Sequence, residues 1–101
     1  MKSVLDSVEP LTSTEWRKIL RANSSRVGLT LSNAGGMMGN TYIRFSDSCP
    51  SDLMTGIRLA TNATERIQFG KGDVPETAVW AMTDGVGVKV AVLEVTEVAQ
   101  S

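Results

Sequence analysis

The sequence predicts an all-β fold, a single antiparallel β-sandwich of about seven strands with an N-terminal arm. Apolar side chains alternate with small or polar ones in Val27-Gly28-Leu29-Thr30-Leu31-Ser32-Asn33, which places Val27, Leu29 and Leu31 on one face of a half-buried strand. The same alternation returns at residues 42–45, 56–59, 63–69, 78–83 and 86–95. Gly, Asn, Asp or Pro stands in almost every gap between these runs, as tight turns require. With 101 residues there is room for one domain, and its core buries only a modest fraction of the chain's surface.

Along the chain, residues 1–12 read as an arm and residues 13–101 as the sandwich domain. Val4, Leu5, Val8 and Leu11 fit a helical face loosely, but Pro10 interrupts it and so short a segment does not hold a helix alone. Thr12-Ser13-Thr14-Glu15 has the form of a helix capping signal. The following Trp16-Arg17-Lys18-Ile19-Leu20 matches neither period cleanly. A strand is the better assignment, because Ala22-Asn23-Ser24-Ser25 is a hairpin-length connection into the strand at 27–33.

The last two strands carry apolar residues on both faces. Val88, Val90 and Val92 share one side of the final strand while Ala91, Leu93 and Val95 share the other. Ala78, Trp80 and Met82 against Val79 and Ala81 repeat the pattern before it. An outer sheet face in a small sandwich is normally polar, so either the arm or a neighbouring subunit is expected to cover this one. Asp84-Gly85 between the two strands is a hairpin signal and predicts that they pair.

Charge and chemistry exclude more than they identify. Ten Lys and Arg against eleven Asp and Glu give a net of −1, which does not fit a protein held on nucleic acid by phosphate neutralisation. Arg17, Lys18, Arg21 and Arg26 form a basic stretch, while Asp84, Glu94 and Glu97 near the end oppose Lys89 alone. These read either as solvated edges or as complementary ends of neighbouring copies. No histidine is present and Cys49 is the single cysteine, so no intrachain disulfide forms and no cofactor or metal site is expected. No apolar run approaches the length of a signal peptide or of a membrane span, which requires about 20 residues. Synthesis in the cytoplasm and no membrane partner are the corresponding expectations.

Two loops invite chemical readings. Asn33-Ala34-Gly35-Gly36-Met37-Met38-Gly39-Asn40 is glycine-rich but lacks the Lys-Ser/Thr and helix of a phosphate loop. It reads as a hairpin tip on which Met37 and Met38 offer adaptable thioether contacts. Ser46-Asp47-Ser48-Cys49-Pro50-Ser51-Asp52 gathers hydroxyls, a thiol and two carboxylates. No base is present to activate a nucleophile, and Asx and Ser turns account for the composition more simply than an oxygen-ligand site does. No catalytic residue is expected.

Leu20-Arg21-Ala22-Asn23-Ser24-Ser25-Arg26, the strand ending at Asn33, Tyr42-Ile43-Arg44-Phe45, Gly56-Ile57-Arg58-Leu59 and Val79-Trp80-Ala81-Met82 together resemble a group of small β-sandwich proteins encoded among the structural genes of tailed bacteriophages. The likeness spans most of residues 15–95. It marks corners and strands: Asn23 and Arg26 match the corner, where an Asn turn and a guanidinium bonded to nearby carbonyls are expected, and Trp80 matches a buried aromatic. The tip at 35–39 is longer than in that pattern, and the arm has no counterpart in it. The resemblance implies a non-enzymatic virion component made in the bacterial host. The first expectation is a homo-oligomeric capsid decoration or cementing protein, and the alternative a head-tail, collar or tail accessory protein; a carbohydrate- or receptor-binding module is a further alternative. Its partners would be the major capsid protein or tail and collar subunits. The expected contact residues are Val4, Leu5, Val8 and Leu11 of the arm, Met37 and Met38 of the tip, and Ala91, Leu93 and Val95 of the last strand.

Overall fold

The computed structural model describes residues 1–34, 39–60 and 66–98, and among these there is no helix. Eight strands form two antiparallel sheets of four. They are β1 (Lys2–Pro10), β2 (Arg17–Leu20), β3 (Arg26–Asn33), β4 (Thr41–Phe45), β5 (Ile57–Leu59), β6 (Arg66–Phe69), β7 (Val79–Thr83) and β8 (Lys89–Glu97). Sheet A has the order β1-β8-β3-β6 and sheet B the order β2-β7-β4-β5. Successive strands change sheet at every connection except that between β4 and β5. The β-sandwich expected from the alternating pattern is therefore present.

Inward residues of the two sheets meet in one core. Leu29, Leu31, Val90 and Val92 from sheet A face Ile19, Leu20, Ile43, Leu59, Val79 and Ala81 from sheet B, and all are buried. Phe45 of β4 and Phe69 of β6 close one side of the layer edge to face, with ring centroids 5.5 Å apart and planes at 86°. Such a T-shaped pair sets the positive ring edge against the negative face of its partner.

Three sequence expectations about strand placement and the chain leaving β1 are corrected, and a fourth, for Trp80, with the strap over sheet B. Residues 2–10, expected in an arm outside the sheets, are the edge strand of sheet A, paired with β8 from Lys2↔Glu97 to Pro10↔Lys89. Alternate backbone groups of this stretch are held by the ladder along β8, an interaction that side-chain periodicity does not register. Leu11, expected at a contact surface, is buried in the core as the chain leaves β1, and its N–H donates to Val88 O. Finally, β7 and β8 do not pair. The segment around Asp84-Gly85 crosses from sheet B to sheet A and drives Val88 into the core, so the turn chemistry there serves a crossover and not a hairpin.

The connection from β4 to β5 lies as a strap over the outer face of sheet B. Trp16 Nε1 donates to Asp52 O at 2.9 Å and Trp80 Nε1 to Ser46 O at 2.9 Å. Arg44 Nη1 donates to Thr55 Oγ1 at 2.6 Å. Beneath the strap Met82 has no exposed surface although it points away from the core. The strap returns at Gly56, whose φ of 94° suits glycine and whose position leaves no room for a Cβ against Ile43 O and the Arg44 side chain. Trp80, expected in the core, is half-buried on this outer face with Lys18 Nζ 5.3 Å from its ring centre; Trp16 is the buried tryptophan.

Truncation separates core from surface. Leu31→Ala and Leu11→Ala should each cost about 2–5 kcal/mol in urea unfolding, and Leu93→Ala should stay within about 0.5 kcal/mol. Equal losses at Leu31 and Leu93 would contradict the assignment of faces.

Candidate partner interface

Alternation along β1, β8 and β3 determines what the outer face of sheet A shows. Cross-strand pairing arranges it in rows: Val4, Val95 and Gly28; then Asp6, Leu93, Thr30 and Gln68; then Val8, Ala91, Ser32 and Arg66. Val4 is 62% exposed, Val8 55% and Leu93 38%. No described element of the chain lies over this face, in contrast to the strapped face of sheet B. Gly28 keeps its row low, since a Cβ there would lie 3.2 Å from Val95 Cβ.

The structure thus brings together five of the expected contact residues, Val4, Val8, Ala91, Leu93 and Val95, on one surface. The arm does not cover the outer face of β8; it extends that face sideways. Leu5 belongs to the opposite side of β1, level with Glu94, and Leu11 belongs to the core. Met37 and Met38 lie outside the described residues. Sequence reasoning missed Thr30, Ser32 and Asp6 as the polar members of these rows, because they become neighbours of Leu93 and Ala91 only through the sheet order.

Arg26 holds the register of this face. Pairing shifts between Arg26↔Thr96 and Gly28↔Val95, so one extra residue, Val27, is accommodated as a bulge. Strict alternation would put Arg26 on the outer face with Gly28 and Thr30. The bulge turns it inward, where its side chain is fully buried and Nε donates to Glu94 Oε2 at 2.7 Å. Its remaining donors reach Thr77 O at 3.0 Å, Arg21 O at 2.9 Å and Pro75 O. Asn23 shapes the approach: its Oδ1 accepts from Ser25 N–H at 3.0 Å, and its Nδ2 donates to Thr96 Oγ1 at 2.9 Å. The corner expected at Asn23 and Arg26 is present. Arg26 of the basic stretch and Glu94 of the acidic end meet here within one copy, and Arg17 pairs with Glu9 at 3.1 Å.

A second polar cluster fastens the opposite end of the sandwich. Asp84 Oδ1 accepts from Asn40 N–H at 2.7 Å, and its Oδ2 accepts from Asn40 Nδ2 at 2.9 Å and Tyr42 Oη at 3.0 Å. The Asn40 bonds hold the Asp84 carboxyl below its ordinary value of 3.8. Desolvation, and after it the bond to Asp84, raises the Tyr42 hydroxyl above 10.0. Asn33 of β3 reinforces this end by donating through Nδ2 to Gly39 O at 3.0 Å and Ala60 O at 2.9 Å. No three His, Cys, Asp or Glu side chains converge among the described residues. Ser46, Asp47, Cys49 and Asp52 belong to the strap described above.

Breaking the buried pair should be costly and one-sided. Arg26→Met should lose about 3–5 kcal/mol because it strands the Glu94 carboxylate, and Arg26→Met with Glu94→Leu should recover much of that loss. Asp84 gives a pH test: a folded pKa below 3.8 means its stabilisation is present above that value and is lost as pH falls through the depressed folded pKa. The margin of the wild type over Asp84→Asn, measured by thermal unfolding, should therefore be largest near neutrality and disappear on acidification below 3.8. A margin that grows in acid would contradict the assignment.

Comparison with known proteins finds no family whose pattern fits the chain and no curated protein that matches it.

Proposed function

We propose that this chain is a non-enzymatic structural subunit of a tailed-bacteriophage virion, a decoration protein that binds the assembled capsid shell through the outer face of sheet A. The observation that carries the reading is the uncovered apolar surface of Val4, Val8, Ala91, Leu93 and Val95, rimmed by Asp6, Thr30 and Ser32. An apolar centre with a polar rim is the anatomy of a protein contact surface. The likeness of the corner, the Tyr-Ile-Arg-Phe and Gly-Ile-Arg-Leu strands and the Val-Trp-Ala strand to small phage sandwich proteins supports a virion as the setting. The fold supports such a role with a two-layer body that has one sheet face uncovered by any described segment.

Sedimentation with purified empty shells and with isolated tails tests the reading. The wild type should travel with shells, and Leu93→Lys should weaken that binding by about tenfold or more because a charge would enter a desolvated contact. Travel with tails alone would replace the decoration role by a tail or collar role. Binding to neither particle, or a Leu93→Lys variant that binds shells as the wild type does, would overturn the proposal.

A further inference from the structure

We infer that the free edge of β1 pairs antiparallel with the same edge of a second copy, about a two-fold axis through Leu5, so that sheet A runs on through both molecules. This deepens the reading of sheet A as a contact surface, and it rests on that reading only for the use made of the joined face.

The pairing along β8 shows which backbone groups are free. Leu11 N–H donates to Val88 O at 3.0 Å and Val98 N–H donates to Met1 O at 2.7 Å. With the unbroken register between them, the odd-numbered residues of β1 are those that exchange bonds with β8. On the far side of β8 the parity agrees, since Glu97 N–H donates to Ser25 O and Lys89 O accepts from Ala34 N–H. The N–H and C=O groups of Lys2, Val4, Asp6 and Val8 therefore point to the open edge. A row of this kind is a template for another strand, and proteins normally blunt it.

The side chains indicate that the other strand is a second copy. An added antiparallel strand must pair even residues with even residues to satisfy these groups. Centred on Leu5, the pairing sets Lys2 opposite Val8 of the second copy and Val4 opposite its Asp6, while Ser3 faces Ser7 and Leu5 faces Leu5. Lys2 then lies diagonal to the second copy's Asp6, about 7–8 Å away between backbones and within reach of a lysine. The Leu5 side chains meet at a non-hydrogen-bonded position, where opposed residues approach most closely, about 4.5 Å between Cα atoms. The register centred on Asp6 opposes two carboxylates and enlists Pro10, which has no N–H to give. The register centred on Val4 sets Lys2 opposite Asp6 and Met1 opposite Ser7 but leaves Val8 with no residue opposite it, so it closes fewer of the free edge groups. Leu5 itself supports the choice: it is 46% exposed above an open cleft of about 700 Å³ bordered by Ile19, Leu20 and Glu94, and no described segment of its own chain covers it. Pairing at β1 brings the Val4, Val8 and Leu93 surfaces of two copies side by side on one continuous face.

Sedimentation equilibrium of the full chain tests the pairing. The wild type should be a dimer, Lys2→Glu should weaken it by about tenfold, and Lys2→Asp combined with Asp6→Lys should restore it. Asp6→Pro removes an edge N–H without touching the β8 ladder, so it should give a monomer with a wild-type circular dichroism spectrum. In a Cys49→Ser background, Leu5→Cys should cross-link to a dimer under copper-phenanthroline oxidation and Val4→Cys should not. A wild type that stays monomeric at high concentration, a dimer indifferent to Asp6→Pro, or cross-linking through Val4→Cys in place of Leu5→Cys would overturn the inference. A monomer that binds shells would defeat the pairing and leave the virion reading intact, and a dimer that binds no particle would do the reverse.

Discussion

The buried ion pair between Arg26 and Glu94 fixes a register on which both faces of sheet A depend. Side chains in a strand alternate with a period of two, so a slip of one residue along β3 would exchange Leu29 and Leu31 with Thr30 and Ser32. The bulge at Val27 would permit such slippage if nothing fixed it. Arg26 prevents it by meeting Glu94 at 2.7 Å and binding carbonyls of the connections at residues 21 and 75–77 in the same interior position. These partners come from β8 and from the segments flanking β2 and β7, so the guanidinium ties sheet A to the connections leading into sheet B. A planar, permanently charged group with its donors in a fork suits such a junction, and a lysine there could not reach as many acceptors at once.

Both sheets have apolar residues on their outer faces, but among the described residues only the face of sheet B is covered by another segment of the chain. On sheet B the strap folds over Met82, Trp16 and the side of Trp80, and its backbone carbonyls take the two indole N–H groups. The hydroxyl, thiol and carboxylate groups at 46–52, which resembled a chemical site on paper, therefore belong to a structural cover. Sheet A has no equivalent element among the described residues. Its outer face instead widens where β1 lies beside β8, adding Val4 and Val8 to the stripe begun by Ala91, Leu93 and Val95. This asymmetry between the faces is the ground on which the contact role is proposed for sheet A.

Much of the fold was legible in local pattern, while the pairing of strands was not. Alternation located β3, β4, β7 and the body of β8, and turn residues marked the breaks between them. What it could not reveal was the sheet to which each strand belongs, because Asp84-Gly85 looks the same whether it closes a hairpin or carries the chain across the sandwich. The apolar outer face of β8 was visible from Ala91, Leu93 and Val95 alone. Its extension was hidden because Val4 and Val8 are widely spaced in a stretch whose stability comes from a backbone ladder. Arg26 was recognisable as a corner residue, yet its partner Glu94 is distant in sequence and looked like part of an acidic edge. Trp80 and Leu11 exchanged expected environments for a similar reason: the strap and the exit from β1 are tertiary features with no local signature.

Hydroxyl-radical footprinting of the free and particle-bound protein tests most directly whether the outer face of sheet A is the contact surface. Leu93, Val4 and Val8 should lose reactivity on binding, while Val86 on the crossover and Leu53 on the strap, which are both more open than Leu93 in the free chain, should keep it. Protection of Val86 and Leu53 with Leu93 and Val4 left reactive would contradict the account.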